Sequence, residues 1–185
     1  MANTTKRMLS MSLKKLLSKT TLDSITIQDI TDDAEVSRKT FYYHFQDKYE
    51  LLSWIYYNEN FSRITEDITF DNWDQKILEM LQIMEKEKTF YVNTLKEQEH
   101  TFESYLFEMA KALFLEAIAR LDEKNHLNDV EREFDAEFYA YGICGVIVSW
   151  TQSGMRIKPE IVAEHLRSLA KDTERIGYIR SQGLL

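Results

Sequence analysis

No glycine occurs before Gly142, and the single proline is Pro159. Glycine and proline are the strongest local breaks in regular structure, so a run this long without them argues for helices throughout. No strict period-2 stretch of β-branched residues competes with that reading. Leu9, Leu13, Leu16 and Leu17 form one amphipathic stripe, with Lys6, Arg7, Lys14 and Lys15 largely off it. The spacing predicts a first helix over residues 5–18. Further helices are expected from Asp47 toward Ile64, over 72–87, 88–95 and 102–121, into Gln152, and over 159–175, where Pro159 suits a first turn. Polar breaks fall at Lys96–His100 and Asp122–Asn128. The expected fold is all-α, a small N-terminal three-helix unit followed by a C-terminal helical bundle, about nine helices in all. At 44% hydrophobic residues the chain can bury a core.

The window TIQDITDDAEVSRKTFYYHFQDK, residues 26–48, narrows the function. Thr26 precedes the apolar positions Ile27, Ile30 and Ala34, with Asp29 three residues on, the capping pattern of a helix start. Ser37 opens a second helix only eleven residues later, which leaves room for a tight turn alone. Two short helices so joined form a helix-turn-helix, whose second helix enters a DNA major groove. Phe41 and Phe45 are four apart and share a face suited to packing. Arg38, Lys39, Thr40, Tyr42, Tyr43 and His44 then point elsewhere. Cations, hydroxyls and an imidazole suit phosphate oxygens and base edges.

The element Thr40-Phe41-Tyr42-Tyr43-His44-Phe45, followed by Lys48, resembles the end of the DNA-binding domain of the TetR family of bacterial transcriptional regulators. The likeness covers roughly residues 5–50. It implies a DNA-binding domain at 1–48 and a ligand-binding and dimerisation domain at 49–185. It implies DNA contact by Thr26, Arg38, Lys39, Thr40, Tyr42, Tyr43, His44 and Lys48. Of these, Tyr42, His44 and Lys48 would anchor phosphates, and Arg38, Lys39 and Tyr43 would carry sequence preference. The stretch from Phe138 to Met155 resembles a subgroup that includes regulators of dihydroxyacetone kinase operons.

Net charge is −8, which looks unsuited to DNA. Residues 1–48, however, hold eight Lys or Arg against six acids, leaving −10 to the remainder. A local basic face matters more than the total. The lone Cys144 excludes an intrachain disulfide and reads as a small buried hydrophobe. The first residues lack the apolar core of a signal peptide, and no segment approaches membrane-spanning length, so a cytoplasmic protein is expected. No catalytic Ser/His/Asp arrangement, glycine-rich phosphate loop or firm metal-ligand pattern is legible, so neither an enzyme nor a cofactor or metal is expected. Glu97, Glu99, His100 and Glu103 read as a solvated charge run.

From Phe138 to Trp150 the chain is apolar on nearly every helical face, and such a helix must be covered all round. With Gly142 and Gly145 on a shared face, the last two helices, 134–152 and 159–175, are expected to form a homodimer interface. Two-fold symmetry then requires a palindromic operator. The resemblance implies an effector, most often a small molecule that releases a repressor from DNA. Tyr91, Tyr105 and Tyr141 are the expected pocket residues, since a phenol can fix a polar ligand. The alternatives are an activator controlled by a protein partner, or a helical adaptor without DNA binding.

Overall fold

Helix caps divide the chain where glycine and proline do not. The structure, a computed structural model, describes residues 2–96, 100–122 and 127–181. The described elements are α1 (Ala2–Leu17), α2 (Ile27–Asp33), α3 (Arg38–His44), α4 (Lys48–Ile55), a π-helical segment (Tyr56–Phe61), α5 (Ser62–Thr65), α6 (Trp73–Lys86), α7 (Lys88–Thr94), α8 (Thr101–Leu121), α9 (Asp129–Gln152) and α10 (Pro159–Ser181). The segments from α4 through α5 are contiguous, so the described residues build nine helical rods, in an all-α fold as expected.

The bounds differ from the sequence reading in instructive ways. Helix α1 starts at Ala2 and α10 runs to Ser181, beyond the expected 5–18 and 159–175. The expected helix from Asp47 toward Ile64 is present but carries the π-helical segment, marked by the Ser62 N–H donating five residues back to the Tyr57 carbonyl. Such segments insert an extra residue per turn and are frequent at functional sites. Helix α4 is capped by Asp47, whose Oδ1 accepts the Tyr49 and Glu50 N–H groups, each at 2.8 Å. Helix α9 begins with a full capping box, Asn128 with Glu131. It ends at Gln152 and is closed by Gly154, φ +85°, after which the Met155 N–H returns to the Trp150 carbonyl.

One hydrophobic core runs from Leu9 in α1 to Leu166 in α10. Helix α1 packs on α2, α3, α4 and α7; α8 lies along α9; α10 packs on α6 and α8. The α1 side of the core holds α2 by the buried bond from Ser12 Oγ to the Ile30 carbonyl, 2.9 Å. No helix among the described residues is long and apolar enough to cross a membrane.

Candidate nucleic-acid interface

The capping box expected at Thr26 is formed. Thr26 Oγ1 accepts the Asp29 N–H at 3.2 Å, and Asp29 Oδ2 accepts the Thr26 N–H at 2.8 Å. Helix α2 ends in a turn that sequence reading located without explaining. Glu35 takes a left-handed backbone, φ +54°, which lets the Val36 N–H reach the Thr31 carbonyl at 3.0 Å and the Glu35 N–H reach that of Asp32 at 3.2 Å. This bonding closes helix ends, with glycine the usual left-handed residue. A glutamate there carries steric strain. Replacing Glu35 by Gly is therefore expected to stabilise the fold by about 0.5–1 kcal/mol, read by urea unfolding. A loss of stability would show that the Glu35 side chain makes up for its backbone.

Helix α3 is started by Ser37, whose Oγ accepts the Thr40 N–H at 3.1 Å. Phe41 and Phe45 are buried, ring centroids 5.9 Å apart, as the four-residue spacing predicts. Their burial turns the other face outward. Arg38, Lys39, Tyr42 and Tyr43 are exposed, Tyr43 most of all at 82%. The Arg38 guanidinium lies 5.9 Å from the Tyr42 ring centroid and its Nη2 donates to the Tyr42 hydroxyl at 3.4 Å, so the two are pre-arranged as a pair. Thr40 and His44 are half-buried. Thr40 Oγ1 lies 2.8 Å from Ser37 Oγ, and the His44 ring meets Tyr43 edge-on at 4.9 Å. Thr26 is exposed at the start of α2.

Lys48, to which the resemblance gives a phosphate-anchoring role, is engaged within the protein. Its Nζ donates to three backbone carbonyls of the α1–α2 connection: Leu22 at 2.7 Å, Ile25 at 3.0 Å and Asp23 at 3.1 Å. An ammonium has three donors, and all are used. A cation in the first turn of α4 opposes the helix dipole, and the carbonyls offset that cost. Other cations counted toward a basic face are also engaged. Lys15 pairs with Asp33, Lys14 bridges Glu59 and Glu87, and Lys6 lies over the Phe45 and Trp54 rings. The exposed face of α3 itself supplies Arg38 and Lys39.

The three tyrosines expected to line a pocket do not converge. Tyr91 is buried in an aromatic cluster with Tyr56, Phe90 and Phe102, and its hydroxyl accepts from Asn60 Nδ2 at 3.1 Å. Burial holds its phenol well above the usual range. Tyr105 packs on Tyr57 and Phe61. Tyr141 lies outside, against Phe107, 66% exposed. Aromatic packing decided their positions, as it usually does when many aromatics share a bundle. A separate apolar cavity between α6, α8, α9 and α10 holds about 70 Å³ and is lined by Trp73, Met109, Phe114 and Ile143, with none of the three tyrosines. Ligand pockets run to roughly 300–1,000 Å³; two more open clefts reach that size, one of about 720 Å³ edged by Tyr91 and one of about 480 Å³ edged by Tyr141. Cys144 is buried, its thiol pushed up to about 12, which fits the expected packing role. Of the acidic run, Glu97 and Glu99 lie outside the described residues. His100 Nδ1 sits 3.1 Å from Glu103 Oε2 at the surface.

A capped helix-turn-helix presenting one polar aromatic face, carried on a helical bundle, defines a DNA-binding regulator. The description "Bacterial regulatory proteins, tetR family" matches residues 13–54, and "Transcriptional regulator C-terminal region" matches residues 71–172. The chain belongs to the TetR family; it is a transcriptional regulator and not an enzyme. The HTH-type dhaKLM operon transcriptional activator DhaS of Lactococcus lactis subsp. lactis (strain IL1403) is 26% identical to it over 144 residues, 77% of this chain and 76% of that protein. A solved structure of a dihydroxyacetone kinase operon activator DhaS shares its fold, with a TM-score of 0.73 at 24% identity, over 93% of this chain and 97% of that one. The subgroup resemblance noted at Phe138–Met155 agrees with both.

Proposed function

We propose that the chain is a cytoplasmic, homodimeric activator that reads a palindromic operator through the outer face of α3, residues 1–48 serving DNA and 49–185 assembly and control. The observation that carries this is the exposed Arg38–Tyr42 pair beside Lys39 and Tyr43, on a helix whose opposite face is locked into the core. Thr26, Thr40, Tyr42 and His44 position phosphates; Arg38, Lys39 and Tyr43 contact base edges; Lys48 acts from behind by holding the α1–α2 connection. Selection of bound sequences from a random DNA pool tests the assignment. Replacing Arg38 by Ala is expected to relax preference at one base pair per half-site and to cost about 1–3 kcal/mol on the selected operator. A uniform loss on all sequences would move Arg38 to the phosphate group.

The outer face of α9 supports dimerisation. Phe138, Tyr141 and Val146 are exposed there, and a Cβ built on Gly142 or Gly145 meets nothing within 4 Å. An apolar face with room for another backbone supports the covering partner that the all-round apolar reading of this helix requires. With α10 it forms the two-helix contribution of each protomer, and the recognition helices then approach successive major grooves, about 34–36 Å apart. Activation is favoured over repression by the likeness to an operon activator. The filled aromatic core around Tyr91 and Tyr105 favours a protein partner on the outer surface over a metabolite held among the three tyrosines. Transcription from the selected operator in a cell-free system, with and without lysate fractions, reads both the sign and the partner. Repression by the protein alone would overturn the activator reading.

A further inference from the structure

We propose that the cleft between α1 and the C-terminal bundle binds a small multiply charged anion, a phosphate ester or polycarboxylate, which staples the DNA-reading unit to the bundle. The cleft has a volume of about 720 Å³, ligand-sized, and its lining mixes charged side chains with apolar ones. Its charged walls are Arg7 and Lys14 of α1, Glu59 and Arg63 of the π-helical segment and α5, and Lys86 with Glu87 where α6 gives way to α7; Trp54 of α4 and Tyr91 of α7 also line it.

The charges on these walls are sorted. Both carboxylate oxygens of Glu59 are taken, one by Ser10 Oγ at 2.5 Å and one by Lys14. Glu87 is held by the same Lys14 at 3.2 Å. Lys14 is mostly buried and thus draws the two acids of the cleft to itself. Arg7, Arg63 and Lys86 make no ion pair among the described residues, although the chain as a whole carries a net −8. Three cations outside any ion pair therefore line one cleft, from α1 on one side and from α5 and α6 on the other, and leave its lining net positive. A compact anion with two or more charges is the ligand that satisfies them together, because guanidinium groups bind carboxylate and phosphate through paired, directed hydrogen bonds. A single-charge ion satisfies one wall only.

The location gives binding a consequence, which rests on the regulator reading above. Helix α1 is fastened to α2 through Ser12, and Arg63 follows the π-helical segment in the connecting rod. An anion bridging Arg7 to Arg63 and Lys86 fixes the lean of the reading unit on the bundle. By linkage, operator DNA and anion then change each other's affinity by the same factor.

Calorimetric titration of the full-length protein, without DNA, tests the site. The probes are sn-glycerol 3-phosphate and citrate. Glycerol and sodium chloride at matched ionic strength are the controls. Saturable binding of at least one anion is expected, with no response to the controls, weakened about tenfold or more in the Arg63→Gln/Lys86→Gln variant. Arg7→Gln is expected to weaken it from the opposite wall. All three side chains are exposed, and thermal melts without ligand check that the variants remain folded. The two probes distinguish phosphate-ester from polycarboxylate recognition. No saturable heat from either anion, or wild-type affinity in the variants, would overturn the proposal. Since no DNA is present, such a failure leaves operator reading untouched, and a failure of operator binding leaves the titration readable.

Discussion

Replacing Lys48 by Ala is expected to destabilise the fold by about 3 kcal/mol and to lower its melting temperature by roughly 5–10 °C. The ammonium donates to the carbonyls of Leu22, Asp23 and Ile25, and hydrogen bonds from a charged donor contribute more than neutral ones. Those carbonyls end just before Thr26, the cap of α2, so their release frees the start of the first reading helix. Operator affinity falls because the helix-turn-helix is less well held, while the slope of affinity against salt stays as in the wild type. Lys48→Met, which keeps most of the stem, should show a similar loss and so assign it to the charge. Chemical denaturation and filter binding over a salt series measure the two effects separately. A variant of wild-type stability whose salt slope drops by about one unit would return Lys48 to the phosphate-anchoring group.

Replacing Gly142 by Arg is expected to leave the protomer folded and to abolish its assembly. The added side chain meets open space within the protomer, since nothing lies within 4 Å of the Cβ position, yet it projects from the face proposed for a second α9. A charge buried against an apolar partner surface without a counter-charge costs several kcal/mol. The half-sites of a palindrome are then bound one at a time, and the affinity gained by linking two recognition helices is lost. Operator affinity should fall by about 100-fold or more, with selectivity for each half-site retained. Sedimentation velocity reads the oligomeric state, and shift assays with full and half operators read the binding. A Gly142→Arg protein that still sediments as a dimer would place the interface on another face.

Local chemistry explains what was legible in the chain. Thr26 with Asp29, Ser37 with Thr40, and Asp47 with Glu50 each act within one turn, so the helix starts are readable from neighbours a few residues apart. The four-residue spacing of Phe41 and Phe45 likewise turns Arg38, Lys39, Tyr42 and Tyr43 outward without help from the rest of the molecule. The reversal at Glu35 was less readable, because a left-handed backbone is usually signalled by glycine and here it is imposed on a glutamate by the bonds that close α2.

Other features depend on residues far apart in sequence. Lys48 looks like any surface lysine until the α1–α2 connection, more than twenty residues earlier, is folded against it. Tyr91, Tyr105 and Tyr141 share a chemistry that suits a pocket. Packing sent the first into the core against Tyr56, the second against Phe61 and the third to the surface. The engagement of Lys14 with Glu59 and Glu87, which leaves Arg7, Arg63 and Lys86 to face the cleft, joins α1 to parts of the chain 45 residues away and more. The all-helical class, the helix starts and the outward face of α3 were determined by the sequence itself, because capping and periodicity are short-range. Which cations remain available, which aromatics are buried and where a cavity opens were decided only by the tertiary structure, because each depends on competition among distant groups for the same partners and the same space.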